Sequence, residues 1–401
     1  MLLLSLIVAA VTAAVWTFFG PEPRDVFALM TSMSVLIIAC PCALGLGTPI
    51  SVMIGIGKAA EYGALIRSGE ALQRASEIET LVFDKTGTLT SGKPTVVAMK
   101  TADPEKEIEC LALVASVEKF SEHPVGQAIT HLAATRYIST YPTQYFQNLE
   151  GFGVRAKVNG KWLVVGKQLF MEKNNLDFKD FRKTIEAYTD EAYTIVYVGY
   201  DEKPFGLLAI ADPIREEAMA AVQRLQALKL HIVMLTGDNQ TTAERVGAEL
   251  GIADVIANVL PHQKLKAIEQ LQKNGHLVAM VGDGINDAPA LAKADVGFAM
   301  GGGTDVAIAS ADVTLLRDSL HAVADTILIS RATLKNIKQN LSGAFIYNVL
   351  SIPIAAGCFY PLFHWLLNPI IAGAAMALSS ITVVTNAARL RKFRPVSVLK
   401  K

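Results

Sequence analysis

The 401-residue sequence has no surplus of charge: 37 lysines and arginines stand against 37 acids. That balance leaves no electrostatic footprint for nucleic acid. Cysteine is scarce: four occur, two of them in one apolar run, so no disulfide framework is implied. No internal repeat or low-complexity tract is visible, which sets aside solenoid and linker architectures. Residues 1–20 lack the positively charged start of a signal peptide, and their apolar run exceeds the usual signal core. What the chain has in excess is apolar content, 51% of residues, too much for an ordinary cytosolic enzyme.

That excess sits at the two ends. Residues 1–19 carry no charge, and residues 26–58 meet their first at Lys58, which with Arg67 marks a cytoplasmic end. A second pair of apolar segments lies at 341–363 and 365–388. Each is long enough to cross a hydrocarbon core of about 30 Å. The basic tail at 389–394, with Lys400 and Lys401 beyond it, stays cytoplasmic by the positive-inside rule. Four spans predict an integral protein of the cell (inner) membrane, with both termini and the middle region in the cytoplasm. Cys110 and Cys358 read as packing residues.

In the middle region, short apolar strands at 207–210, 231–235 and 278–281 alternate with amphipathic helices around 218–228 and 242–250. This is the rhythm of a doubly wound parallel sheet. The apolar run 80–83 is assigned to the same sheet, because the loop after it needs chemical partners found only in the later stretch. Segment 97–206 then reads as an inserted α+β domain, with helices near 105–117 and 128–137 and strands near 153–158, 161–165 and 193–199. The predicted fold class is membrane α-helical hairpins plus α/β. Its divisions are a first hairpin and connector (1–72), a parallel-sheet domain in two parts (73–96 and 207–325), the insertion (97–206), and a second hairpin with its tail (326–401).

The run Asp84-Lys85-Thr86-Gly87-Thr88-Leu89-Thr90 follows the first strand. An acid where a buried strand meets a loop rich in backbone donors, hydroxyls and a lysine is suited to a phosphoryl group, with the carboxylate as nucleophile. Thr236-Gly237-Asp238-Asn239 ends a second strand, and Gly282-Asp283-Gly284-Ile285-Asn286-Asp287-Ala288-Pro289 ends a third. Carboxyl ends of parallel strands form one crevice, so these loops can meet Asp84. Asp283 and Asp287 offer hard oxygen ligands for Mg²⁺. Thr86 and Thr236 can hold phosphoryl oxygens, and Lys264, in Pro261-His262-Gln263-Lys264, can neutralise developing charge. Taken alone, Lys264 reads equally well as a surface helix lysine.

In this order the motifs resemble the phosphorylation core of P-type ion-transporting ATPases, which share the haloacid-dehalogenase fold; the resemblance covers essentially the whole chain. It implies that Asp84 attacks the γ-phosphate of Mg-ATP and that Asp84 shares the Mg²⁺ with Asp283 and Asp287. Lys85, Thr86, Thr236, Gly237, Asp238 and Lys264 complete the catalytic set. Within the insertion, the phosphorylation domain's nucleotide-binding partner, Ser121-Glu122-His123-Pro124 and Gly151-Phe152-Gly153 resemble the heavy-metal branch. By that match His123 orients adenine, Glu118 supports it, and Gly151 and Gly153 admit the nucleotide. Where the family carries an asparagine beside Gly166, this chain has Lys167.

Cys40-Pro41-Cys42 lies inside an apolar segment, where proline opens the helix between two thiols. Soft sulfur selects Cu(I) or Zn(II) over Mg²⁺ or Ca²⁺; two small cysteines packed at a proline kink are the plainer reading. Tyr347-Asn348 occupies one later segment and Met376-Ala377-Leu378-Ser379-Ser380 the other. Singly, Met376 reads as core and Tyr347 as an interfacial anchor. Together they resemble the copper (Cu⁺/Ag⁺) subgroup, with Cys40, Cys42, Tyr347, Asn348, Met376 and Ser380 around the ion. The zinc, cadmium and lead subgroup would carry an acid in the last segment, and none stands between 365 and 388.

The resemblance thus predicts an ATP-driven Cu⁺ exporter, with a copper chaperone or a separate actuator-bearing chain as partner. The family's actuator motif, Thr-Gly-Glu, does not occur, nor does an amino-terminal Cys-x-x-Cys. The expectation is therefore a carboxyl-terminal portion whose dephosphorylation and coupled transport are impaired. Two other readings stand beside it. A membrane-tethered phosphatase on the same fold would need an acid two residues after the nucleophile, where Thr86 stands. A non-catalytic metal-binding or regulatory fragment would leave Asp84 unphosphorylated.

Overall fold

The computed structural model describes residues 2–40, 42–121, 123–149, 151–191, 193–273, 275–317 and 319–395. Helices Leu2–Phe19, Arg24–Ile38 and Cys42–Glu61 lead to strand β1 (Ala64–Ile66) and helix Gly69–Glu77. The last is started by Ser68, whose Oγ accepts from Ala71 N. Strand β2 (Thr80–Asp84) follows, with every residue buried. A β-rich run hidden on both faces belongs in the middle of a parallel sheet.

The chain then builds a second sheet from β3 (Thr95–Thr101), β4 (Thr143–Leu149), β5 (Gly153–Val158), β6 (Lys161–Gly166), β7 (Thr194–Tyr200) and β8 (Lys203–Ala211). It is antiparallel throughout, in the order β3-β8-β7-β6-β5-β4. Helices Glu107–Glu118 and Pro124–Thr135 pack on it through Leu111, Val114, Ile129 and Ala133. The chain returns through β9 (His231–Leu235), β10 (Asp254–Ile256), β11 (Val278–Gly282), β12 (Val296–Met300) and β13 (Val313–Leu315). The first sheet runs β1-β13-β12-β11-β2-β9-β10, all parallel except the antiparallel edge β1. From β2 the chain builds outward to β9 and β10, then crosses to β11 on the other side. The carboxyl end of β2 is therefore the switch point, where a crevice forms.

One expected strand lies elsewhere. Residues 207–210 fall within β8 and pair with β3 and β7, so the insertion closes at Ala211 and not at residue 206. An apolar run fits a buried strand of either sheet; its register against residues 95–101 decides the matter.

The helical end departs from four simple spans. Residues 26–58 form two helices, interrupted between Ile38 and Cys42; Pro41 itself lies outside the described residues. Segment 341–363 is the second half of a 35-residue helix, His321–Ala355, followed by a short helix, Tyr360–Phe363. The expected boundary at 325/326 therefore cuts a continuous helix, because no proline or glycine stops it before the apolar half begins. By length and composition, one helix among the described residues can cross a membrane unaided, Pro369–Lys392, and Ser5–Phe19 is apolar but shorter. Large apolar side chains face outward here, Phe18 at 73% exposure and Ile370 at 80%. Surface of this kind belongs in lipid.

A polar cluster ties three of these helices together. Ser51 Oγ donates to Asn336 Oδ1 at 2.9 Å, Asn340 Nδ2 to Asn336 Oδ1 at 3.2 Å and to Ser51 Oγ at 3.3 Å, and Asn386 Nδ2 to Asn340 Oδ1 at 2.8 Å. Asn336 Nδ2 reaches the Asn386 carbonyl at 2.9 Å. Asn340 joins three of these bonds, so Asn340→Ala should strand buried partners and cost about 2–4 kcal/mol. Thermal unfolding in detergent measures this; an unchanged midpoint would contradict it.

Candidate active site

Asp84 ends β2, 5% exposed. Lys264, the first residue of helix Lys264–Gln272, donates from Nζ to Asp84 Oδ1 at 2.6 Å and to Asp287 Oδ1 at 2.7 Å. Asp287 is held by its own loop: the backbone amides of Asp283 and Gly284 donate to its Oδ2 at 3.3 and 3.1 Å. Lys264 is thus no surface lysine; it is buried between two acids.

Charge crowding sets the ionisation of this group. Burial pushes the Asp84 carboxyl up to about 7, Asp287 adds to the rise, and the Lys264 ammonium opposes it. Asp283 is pushed up to about 6 by burial and then by Asp287. For Lys264, burial works downward, but the Asp84 and Asp287 carboxylates outweigh it and its value rises. Oxygens of Asp84, Asp283 and Asp287 lie within 4.8 Å of one another. Three carboxylates against one ammonium, all hard oxygen donors, fit Mg²⁺.

On the other side of Asp84, Lys85 Nζ lies 2.5 Å from Asp238 Oδ2, a charged contact without the alignment of a hydrogen bond. Thr236 is buried, and its Oγ1 accepts from Asp238 N at 3.1 Å across Gly237. Thr86 is exposed. Thr88, which the sequence reading passed over, has a buried Oγ1 with no partner among the described residues. Its signal was its place in the same hydroxyl-rich run.

Asp212 and Arg215 were also missed. Thr90 Oγ1 donates to Asp212 Oδ2 at 2.6 Å, while the Arg215 guanidinium donates to the carbonyls of Gly87 at 2.9 Å and Thr90 at 3.0 Å. The exit of the insertion thereby clamps the loop after Asp84. The clue was an acid and an arginine flanking Pro213 just past an apolar strand. Gly87 takes φ +74°, and a Cβ there would sit 1.9 Å from Asp283 Oδ2.

In the insertion, Glu118, His123, Gly151 and Gly153 line one cavity of about 270 Å³, which Lys167 also borders. His123 caps helix Pro124–Thr135, its Nδ1 accepting from Val125 N at 3.2 Å. Gly151 needs its positive φ of +78° and faces open space; at Gly153 a Cβ would meet Val165 O at 2.2 Å, so that glycine also lets β5 and β6 close. Glu122 lies outside the described residues. Val125 and Thr194 border both this cavity and a cleft of about 580 Å³ that reaches Lys85 and Asp238.

In the helical end, Asn348 and Met376 are buried, while Cys40, Tyr347 and Ser380 are half-buried. Ser380 Oγ donates back to the Met376 carbonyl at 3.2 Å. The Cys42 side chain lies outside the described residues. Helices His321–Ala355 and Pro369–Ala388 pack against each other and against both Arg24–Ile38 and Cys42–Glu61. Cys110 is buried, its thiol pushed up to about 12 by burial, as a packing residue should be. Cys358 is exposed, in the turn after a helix end, and is not packed.

A family model for haloacid dehalogenase-like hydrolases matches residues 78–295. The chain belongs to that family. Among curated proteins the chain is 51% identical over 385 residues to a copper-exporting P-type ATPase of Vibrio cholerae, covering 96% of the chain and 42% of the relative. It is 47% identical to a silver exporting P-type ATPase of Salmonella typhimurium, covering 98% of the chain and 48% of the relative. Among solved structures, a zinc-transporting PIB-type ATPase in its E2.Pi state superposes with TM-score 0.84 at 34% identity, covering 96% of the chain and 62% of that structure. The chain spans about half the length of the curated relatives it matches.

Two consequences of this geometry can be measured. Gly87→Ala should displace the Asp283 carboxylate and weaken Mg²⁺ binding roughly tenfold or more, leaving metal-free nucleotide binding in the insertion unchanged; calorimetry on both ligands distinguishes the two. Burial raises the Glu118 carboxyl from 4.5 to about 7, so the folded state holds that proton more tightly than the unfolded state does. Stability should therefore fall as pH rises from 4.5 to 7, and Glu118→Gln should flatten the melting temperature over that window. An equal slope in the variant would reject this assignment.

Proposed function

We propose that this chain is the phosphorylation core and part of the ion path of a pump that exports Cu(I), or Ag(I), from the cytoplasm across the inner membrane. The observation that carries the reading is Asp84, buried at a strand end and paired at 2.6 Å with Lys264 beside two further acids. A carboxylate so placed is a nucleophile toward phosphorus. An Asp84 oxygen attacks the γ-phosphorus of ATP. The new O–P bond forms as the bond to the bridging oxygen breaks, and its electron pair leaves with ADP. Lys264 balances the charge that gathers around the transferring group. Asp84, Asp283 and Asp287 would hold Mg²⁺, which when bound neutralises phosphoryl oxygens.

Glu118, His123, Gly151 and Gly153 are assigned to the base end of ATP, and the cleft running toward Lys85 and Asp238 to its phosphates. Thr86 and Thr236 are assigned to phosphoryl oxygens. For the cargo, the names of the curated relatives and the donor chemistry agree. Cys40, Cys42 and Met376 are soft ligands, and Tyr347, Asn348 and Ser380 complete the set. The fold is equally that of a zinc transporter, so the preference rests on the thioether and on the lack of an acid between 365 and 388. Both termini face the cytoplasm in this reading, where a copper chaperone and an actuator-bearing partner chain would meet it.

The test is acid-stable labelling of the reduced chain with γ-phosphate-labelled ATP, with and without Cu(I). Copper-stimulated label that Asp84→Asn abolishes is the expected result. Absence of label in folded, ATP-bound protein would mean that the motifs persist without the enzyme.

A further inference from the structure

The helix His321–Ala355 carries a feature that neither phosphorylation nor the cargo path uses. A groove of about 590 Å³ beside it is lined by Arg331, Lys335, Lys338, Gln339, Ser342 and, from the neighbouring helix, Ser76, with no carboxylate in its wall. The Arg331 guanidinium is fixed by donating to the carbonyls of Ser76 and Leu228, each at 3.3 Å. Lys335 and Lys338 are exposed and have no ion pair among the described residues. The unbalanced charge of this wall calls for an anion.

The sequence of the same face tells which anion. Positions 331, 335, 338, 342, 345 and 349 are spaced alternately by four and three, so they form one stripe along the helix. Its first half is cationic, Ser342 is a hydroxyl step, and its second half holds Phe345 and Val349, exposed by 53% and 51%. From Lys338 to Val349 the rise is about 16 Å, near half of a hydrocarbon core of about 30 Å. Charge, hydroxyl and apolar surface follow one another as headgroup, glycerol and acyl chain do in one leaflet.

We propose that this groove binds the phosphate headgroup of an anionic phospholipid, with an acyl chain lying along Phe345 and Val349. A free phosphate would match the cations but would leave the apolar half of the stripe without a partner. Juxtamembrane lysines at a negative leaflet favour the lipid. The inference depends on the helix standing in a membrane and not on phosphoryl transfer, so a chain that fails to take label at Asp84 still tests it.

The experiment is native mass spectrometry of the full chain released from detergent, with phosphatidylglycerol or phosphatidylcholine of identical acyl chains added at equal concentration. Phosphatidylglycerol should be retained roughly tenfold more than phosphatidylcholine. The double variant Lys335→Gln/Lys338→Gln should lose that preference, and Lys335→Arg/Lys338→Arg should keep it. Removing charge from the tail instead, with Arg391→Gln/Lys392→Gln, should leave it intact. Should the glutamine double variant melt early, each single glutamine variant carries the comparison, with a loss of about threefold expected. Equal retention of the two lipids would overturn the proposal, as would a preference that survives the glutamine changes or falls equally with the tail variant. Displacement of the lipid by millimolar inorganic phosphate would also overturn it, making the groove a simple anion site.

Discussion

The Lys264 ammonium holds two buried carboxylates together, and the architecture of the face around Asp84 follows from that constraint. Asp84 and Asp287 accept from one nitrogen at 2.6 and 2.7 Å, each almost wholly buried. Two bare carboxylates so enclosed could not both ionise, and the cation between them opposes the rise of the Asp84 carboxyl. The three residues come from segments far apart in sequence, so only a sheet with β2 at its centre and β9 and β11 on either side can assemble them. Even so, burial outweighs the lysine, and Asp84 stays near 7. Three carboxylates thus face one ammonium, a donor set that a divalent cation would complete.

Two mechanical links carry this centre outward. The first is the clamp of Asp212 and Arg215 on the loop of Gly87 and Thr90, which fastens the exit of the insertion to the residues after Asp84. A shift of the insertion cannot occur without pulling on that loop. The second is the helix His321–Ala355. Its first turns are core, with Val323 and Ile327 fully buried against the parallel sheet, and its far end carries Tyr347 and Asn348. At 35 residues it is about 52 Å long. One rigid rod thus joins the catalytic core to the apolar helices.

The placement of the core's motifs was legible because it is local: strand, then loop, then motif, three times over. Asp84, Thr236 and Asp283 each sit at the strand end that the apolar runs announced. What escaped was non-local. The run 207–210 carries no mark of which sheet it joins, since burial on both faces looks alike in a parallel and an antiparallel centre. The continuity of helix His321–Ala355 was hidden because its amphipathic and apolar halves differ in composition while sharing one period. Asn336, Asn340 and Asn386 read singly as ordinary polar residues; only a hydrogen bond across 46 residues, from Asn386 to Asn340, shows them as one cluster.

In the proposed pump, that cluster also bears on where a soft ion would travel. Ser51, Asn336, Asn340 and Asn386 present oxygens and amide nitrogens that already satisfy one another, and hard or occupied donors hold Cu(I) or Ag(I) poorly. Asn340 and Asn348 are eight residues apart on one helix, about 12 Å along its axis. The polar cluster and the sulfur-bearing level are thus separate stations on the same rod. Closed hydrogen bonding at the first fixes the register of three helices, and it is fully satisfied polar contacts that lock such a register in an apolar setting. In the proposed pump, choice of ion would fall to the second level, where Met376 is buried.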